Sequence, residues 1–292
     1  MKTIELADAC ICCGAKNLAS SPAVLMPFVA SRALGQEPLE ITADWGLRDL
    51  QPGMAYTLCH SLQCRACGVL FLDLRFTPMQ MAALYEGYRG PAYTRQRERF
   101  EPGYAATVAQ DYGHRHAYVA EVEAWLTPHL PPQPLILDWG GGDGRNTPFL
   151  GCARVRVHDI SGALPVTGAE CAPPFASHHA TPAYDLVVCM QVLEHVADPL
   201  AVLQELTAHL GPQTRLYVEV PHEALIRQHP PGTDMTPHKR HWHEHINFFT
   251  EAALRQLAAR AGLRVLDTLH LPFNNGARQG EVLGLLLAWE AL

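Results

Sequence analysis

The sequence predicts an α/β fold: a mostly parallel sheet with helices on both faces, preceded by a small cysteine-bearing module and a helical segment. Three observations carry this expectation. From residue 135 onward, short apolar runs alternate with helix-like stretches, the pattern of strand–helix–strand units. The first run feeds directly into a glycine cluster, Asp138-Trp139-Gly140-Gly141-Gly142-Asp143-Gly144. Six of the nine cysteines fall within the first 67 residues.

Taken in order, residues 1–75 hold Cys10, Cys12, Cys13, Cys59, Cys64 and Cys67 in irregular, proline-containing sequence. Residues 76–130 read as helical. From Ala117 to Leu126 apolar groups recur at helical spacing, and Pro128 ends the pattern. Pro131-Pro132-Gln133-Pro134 is a stiff linker into a third unit, residues 131–292. That unit begins with a buried strand, Leu135–Asp138. Further strands are expected over Arg154–Asp159, Tyr184–Met190 and Arg215–Val220, the last closed by Pro221. A helix runs from Pro199 to Leu210, stopped by Gly211-Pro212, and Thr250 caps another over Ala252–Ala261, ended by Gly262. Two strands around Asn274-Asn275-Gly276 complete the chain.

Composition narrows the class. The chain has 292 residues, 48% hydrophobic and 17% charged, which fits a globular protein and excludes a disordered chain, a collagen-like fibre and a coiled coil. No apolar run reaches the ~18 residues that span a bilayer, so no membrane partner is expected. The start, MKTIELADACICC, lacks a basic segment followed by an apolar one, which points to a cytoplasmic, reducing location. A net charge of −7 argues against nucleic acid as a partner.

The glycine cluster can turn the backbone tightly and bring it close to a ligand, with a helix start expected behind it. It does not fit Gly-x-Gly-x-x-Gly, because Arg145 and Thr147 occupy the two positions for a third glycine. The spacing is Asp-x-Gly-x-Gly-x-Gly. Asp159 ends the second strand, where a carboxylate can take both hydroxyls of a ribose. Downstream lies Tyr184-Asp185-Leu186-Val187-Val188-Cys189-Met190-Gln191-Val192-Leu193-Glu194-His195-Val196-Ala197-Asp198-Pro199. Together these segments resemble the first and fourth-strand motifs of the Rossmann-like class I S-adenosylmethionine-dependent methyltransferases. The resemblance implies that Asp138, Gly140, Gly142 and Gly144 hold the methionine end of S-adenosylmethionine, that Asp159 binds its ribose, and that Gln191 sits beside the sulfonium. Glu194-His195 reads as a structural pair at a helix start.

Cys10-Ile11-Cys12-Cys13-Gly14 and Cys64-Arg65-Ala66-Cys67-Gly68 each contain Cys-x-x-Cys-Gly. Four thiolates, Cys10, Cys13, Cys64 and Cys67, suffice for a tetrahedral structural Zn2+ without an open position. The 50 residues between Cys13 and Cys64 do not forbid it. Closing the longer loop costs on the order of 1 kcal/mol, against roughly ten or more from zinc binding.

A zinc module joined to a class I methyltransferase is similar to the sugar C-methyltransferases that act on nucleotide-linked deoxysugars, including Tyr85-Glu86-Gly87-Tyr88 and Tyr93. The segment His238-Lys239-Arg240-His241-Trp242-His243-Glu244-His245-Ile246-Asn247-Phe248-Phe249-Thr250 follows the fifth strand and Pro221-His222. The resemblance makes His245 a general base with Glu244 beside it; Tyr88 and Tyr93, from the helical segment expected to cover the cleft, with His222, Trp242 and His243, are candidate contacts for a small-molecule acceptor, a sugar or natural-product intermediate. Trp242 stands where the family has tyrosine. An acceptor carbon or hydroxyl must lose a proton, which a histidine near neutral pH can take. Two other readings stay open. The segment is a structural loop into the last helix, or His241, His243 and His245, joined by His222, bind a metal. A non-catalytic, partner-binding protein is the rival from another class.

Overall fold

The computed structural model describes residues 4–45, 52–111, 113–173, 184–274 and 279–289. The N-terminal sheet takes three strands from the first part of the chain: β1 (Leu18–Leu25), β2 (Thr57–Cys64) and β3 (Leu70–Leu72). Helices α1 (Pro78–Tyr85), α2 (Pro91–Phe100), α3 (Tyr104–Asp111) and α4 (Val119–Leu126) follow. Then come β4 (Leu135–Trp139), β5 (Arg154–His158), β6 (Ala169–Cys171), β7 (Leu186–Met190), α5 (Pro199–Thr207) and β8 (Arg215–Pro221). The chain continues through β9 (His241–Trp242), β10 (Asn247–Phe248), α6 (Glu251–Arg260), β11 (Leu263–Asn274) and β12 (Gln279–Trp289).

The central sheet has the order β6-β5-β4-β7-β8-β12-β11. Its first five strands are parallel, β12 runs antiparallel to them, and β11, antiparallel to β12, runs with the first five, a Rossmann-like α/β arrangement. The period-two alternation of a strand sorts the core into two faces. Leu135, Leu137, Val187, Cys189 and Val218 pack with Leu203 and Leu206 of α5 and Leu254 and Leu257 of α6. Ile136, Leu186 and Val188 point the other way, against Val122 and Leu126 of α4. The caps follow the sequence: Asp198 accepts from the Ala201 amide at 2.9 Å and Thr250 from the Ala253 amide at 3.0 Å. No helix among the described residues is long and apolar enough to cross a membrane.

The N-terminal module differs from the expectation in two ways. It is built on strands rather than irregular chain, and residues 1–75 do not complete its sheet. The order is β9-β1-β2-β3-β10, so both edge strands come from the segment between the fifth strand and the last helix of the α/β unit. His241-Trp242 pairs parallel to Val24-Leu25, and Asn247-Phe248 pairs antiparallel to Leu70-Phe71. Pro22 hides β1 from a sequence reading. It is tolerated because β9 covers only Val24 and Leu25, leaving the edge open where the proline lacks its N–H.

Two local expectations are corrected as well. The residues behind the glycine cluster form successive turns, not a helix. Thr147 N–H bonds to Gly144 O at 3.1 Å and Leu150 N–H to Thr147 O at 3.4 Å, both three-residue spans. Asn146-Thr147-Pro148 and Gly151 disfavour anything longer. Glu194-His195 lies in a turn, and the next helix begins at Pro199. The short strand Ala169–Cys171, polar and largely exposed, has no alternation to betray it.

Candidate functional site

Strand Leu135–Trp139 delivers the chain into the glycine cluster. Gly140, Gly142 and Gly144 all have positive φ, of 77°, 61° and 79°. At Gly140 a Cβ would lie 2.5 Å from Val192 Cγ2, and at Gly144 2.7 Å from Val157 Cγ2, so neither position has room for one. Among the described residues Gly142 has nothing within 4 Å of such an atom and faces open space. The Asp159 carboxylate accepts from the Gly142 amide at 2.8 Å and from the Ser161 amide at 2.8 Å. Asp138 is buried and accepts from the Thr147 hydroxyl. Burial pushes its carboxyl up to about 7, against the pull of that hydrogen bond.

A cavity of ≈ 540 Å³ opens on this cluster. Gly140, Gly142, Asp138 and Asp159 line one end, while Tyr85, Tyr88, Glu194, His195, Glu223 and His245 line the other. Gln191 also lines the cavity, with φ 56°, a left-handed conformation costing on the order of 1 kcal/mol. Its amide bonds to Glu219 O at 2.9 Å and its side chain donates to Glu219 Oε1 at 2.8 Å. Glu219 is buried and also receives the Tyr118 and Tyr217 hydroxyls at 2.9 and 2.7 Å. The chain is therefore held where it turns off the sheet.

At the far end, His245 Nδ1 lies 2.7 Å from Glu223 Oε1. Burial opposes a charge on this ring, but the Glu223 hydrogen bond and the nearby Glu194 raise its pKa above the usual imidazole range. His195 is the opposite case. Burial and the neighbouring His245 take it down to about 3, so it is neutral. Its Nδ1 faces Tyr85 Oη at 2.8 Å and Glu244 O at 3.0 Å. The two imidazoles meet edge to face with centroids 4.7 Å apart. The turn carrying Glu194 and His195 is bolted down. Ile246 and Asn247 amides bond to Glu194 O at 2.7 and 3.0 Å, Asn247 Nδ2 to Leu193 O at 2.8 Å, and Arg75 to Ala197 O at 2.6 Å.

The four expected cysteines converge. The Sγ atoms of Cys10, Cys13, Cys64 and Cys67 all lie within 4.8 Å of one another, with the Cys10–Cys67 and Cys13–Cys64 pairs at 3.5 Å. Each Cys-x-x-Cys-Gly unit forms a knuckle whose glycine has φ of 76° or 80° and bonds back to the first cysteine carbonyl. Backbone N–H groups of Cys12, Cys13 and Ala66 point at cysteine sulfurs at 3.4 Å. The knuckles sit on α6 through Thr250 Oγ1 to Cys67 O at 2.6 Å and Arg260 to Cys12 O at 2.7 Å. Cys12 is buried in the shared core, and Cys59 in that of the N-terminal sheet.

Residues 110–268, more than half of the chain, match a family described as a methyltransferase domain. The chain belongs to this methyltransferase family. Among curated proteins it is 31% identical over 121 residues to a ubiquinone biosynthesis O-methyltransferase of Pseudoalteromonas translucida, covering 37% of this chain and 47% of that protein. It is 30% identical over 114 residues to the enzyme of that name in Aeromonas salmonicida, covering 34% and 44%. The chain thus spans less than half the length of these relatives. A solved Burkholderia thailandensis 1,6-didemethyltoxoflavin N1-methyltransferase aligns at TM-score 0.46 and 20% identity, over 66% of this chain and 87% of that one. The glycopeptide N-methyltransferase MtfA aligns at 0.44 and 15%, over 61% and 96%.

The methyltransferase cavity brings together most of the residues singled out from sequence, but not all. Tyr88 and His222 line it, the latter with Nδ1 2.6 Å from Glu281. Trp242 does not. It is fully buried in the N-terminal core, where its indole N–H donates to Ser61 Oγ at 2.9 Å. Tyr93 is also buried, its hydroxyl donating to Glu244. These two have no surface to offer a ligand. His243 bonds to Glu101, stacks on Phe28 and lines a neighbouring cavity of ≈ 620 Å³. Glu244 has its oxygens engaged by Tyr93 and by Arg97 at 2.6 Å. Burial would raise its pKa, yet His243 and Arg97 hold it well below the usual carboxylate range. It ties α2 to the histidine segment instead of serving His245. Glu223 fills that place and was missed. Its only sequence signal is a carboxylate two residues beyond the end of the fifth strand.

Proposed function

We propose that this methyltransferase moves a methyl group from S-adenosylmethionine to a small-molecule acceptor, with His245 as general base. The observation that carries this reading is the continuity of one cavity from the glycine cluster to the His245–Glu223 pair. Asp138, Gly140, Gly142, Gly144 and Gln191 would hold the methionine end of the donor, and Asp159 its ribose. The open space at Gly142 and the exclusion of side chains at Gly140 and Gly144 support a ligand lying against bare backbone. Bound there, the donor supplies an electrophilic methyl group.

The protein's own part is placement and proton removal. Glu223 fixes the His245 ring and stabilises the imidazolium formed when His245 takes the acceptor proton, typically worth 10²–10⁴-fold. Tyr85 and Tyr88 shape the acceptor end, and placing the acceptor in line with the breaking S–CH₃ bond supplies a further share. A sugar or natural-product intermediate is the acceptor class we favour, and the cavity's mixture of tyrosines, histidines and carboxylates suits a polyhydroxylated molecule. The cysteine quartet would hold one structural Zn2+. Its 3.5 Å sulfur pairs approach the about 3.8 Å edge of a tetrahedron with Zn–S of about 2.3 Å. Calorimetry with S-adenosylmethionine and its demethylated product tests the donor assignment. Binding by the wild type and its loss in Asp159→Ala are expected, whereas no binding at all would refute it.

A further inference from the structure

Glu194 is 1% exposed, and neither of its carboxylate oxygens has a hydrogen-bond partner among the described residues. Burial pushes this carboxyl up to about 8. A buried carboxyl left without partners costs about 1–3 kcal/mol or more, so its surroundings invite explanation. Its Oε1 lies 3.6 Å from His195 Nε2, and the two histidine rings beside it are in contact. One ligand atom from each of Glu194, His195 and His245 falls within 4.8 Å of the others, and all three residues line the cavity.

The outer partners of these side chains have the pattern of a prepared metal site. Metal-bound imidazoles usually engage their other nitrogen with a carboxylate or a backbone carbonyl. His245 does so through Nδ1 and Glu223, and His195 through Nδ1 and Glu244 O. Nε2 of each ring is thereby the nitrogen left for a ligand. The backbone carbonyl of Glu194 receives the Ile246 and Asn247 amides, which locks the turn against the segment carrying His245. Among the described residues no hydrogen bond holds the Glu194 carboxylate back from rotating toward a bound ion.

We infer that Glu194, His195 and His245 form a second metal site, for a divalent first-row transition ion, distinct from the cysteine quartet. Two imidazoles and one carboxylate suit zinc, iron, cobalt or nickel better than magnesium or calcium. Three protein ligands leave positions open toward the cavity, the arrangement that lets a site bind an oxygen of a small molecule. This site does not depend on the methyl donor. It does bear on the reaction proposed above: a metal on His245 Nε2 takes the lone pair that would accept the proton, so loading and base catalysis by His245 exclude each other.

The test is a cobalt(II) titration of the full chain already carrying zinc in its cysteines, followed by visible absorption and by elemental analysis. One further equivalent of cobalt per chain is expected, without thiolate-to-cobalt charge-transfer absorption. Glu194→Gln and His195→Ala should each weaken it at least about tenfold, the scale seen when a site loses a supporting group. His270→Ala should leave it unchanged, since His270 belongs to a separate cluster with His222 and Glu281. Calorimetry with S-adenosylhomocysteine on each variant separates a lost metal site from a lost fold or a wrong donor assignment. No added cobalt in the wild type would overturn the inference. So would cobalt binding indifferent to both site variants, or binding lost in His270→Ala.

Discussion

The two ends of the cavity are built in opposite ways. The glycine end is local: Asp138 to Gly144 is one short run, and Asp159 closes it from the next strand. The histidine end is assembled from four distant segments, namely α1 with Tyr85, the turn Glu194-His195, Glu223 beyond the fifth strand, and His243–Asn247. Those segments meet because the His241–Phe248 stretch supplies both edges of the N-terminal sheet. The cysteine knuckles therefore support the histidine end through the sheet and helix they anchor. The difference teaches that a motif can specify where a ligand's invariant part goes, while a second module decides what is presented beside it.

Several experiments break or sharpen this contrast. His245→Ala should reduce methyl transfer about 10²–10⁴-fold in initial-rate assays while leaving donor affinity unchanged. An equal loss of donor affinity would merge the two ends into one unit. Glu244→Ala removes one of the two carboxylates paired with the largely buried Arg97, leaving Glu101 at 2.8 Å. Chemical denaturation should register a loss of about 1.5–3 kcal/mol, the scale of a lost hydrogen bond to a charged group, because Glu101 still pairs with Arg97. A loss below about 1 kcal/mol would mean the histidine end does not rely on α2. Asp159→Ala should weaken donor binding by about tenfold or more, the scale of a hydrogen bond to a charged group, with no change in denaturation midpoint beyond a small shift.

The smallest effect concerns pH. In the free protein the Asp138 carboxyl is protonated below about 7, because burial disfavours its charge. A positively charged donor favours the ionised form. Binding then releases a proton, and affinity rises with pH toward about 7 by at most about tenfold per unit, then levels off. Asp138→Asn should flatten that profile in calorimetric titrations from pH 5.5 to 8. A profile in Asp138→Asn matching the wild type would assign the effect elsewhere.

How much could be read from sequence follows the same division. Strands Leu135–Trp139, Leu186–Met190 and Arg215–Pro221 announce themselves as apolar runs and Arg154–His158 as an alternation, and α5 and α6 carry their own caps. The cysteine quartet is legible because Cys-x-x-Cys-Gly encodes its own turn. The N-terminal strands are not legible, since Pro22 and a strand buried on both faces near Ser61–Cys64 erase the alternation. The place of Trp242 is set by pairing with Leu25, a partner more than two hundred residues away, which no local pattern reports. Glu194 looked structural because its neighbours suggested a helix start. Only three-dimensional placement reveals that its carboxylate stands beside two imidazoles and has no hydrogen-bond partner among the described residues.

The central claim is that one cavity joins a donor held on bare glycine backbone to a proton acceptor at His245. A crystal structure with S-adenosylhomocysteine tests it most directly. The account predicts the ribose on Asp159, the methionine end against Gly140–Gly144, and the sulfur facing His245 across space open to an acceptor. A ligand seated elsewhere, or a sulfur facing away from His245 with protein filling the gap, would contradict it.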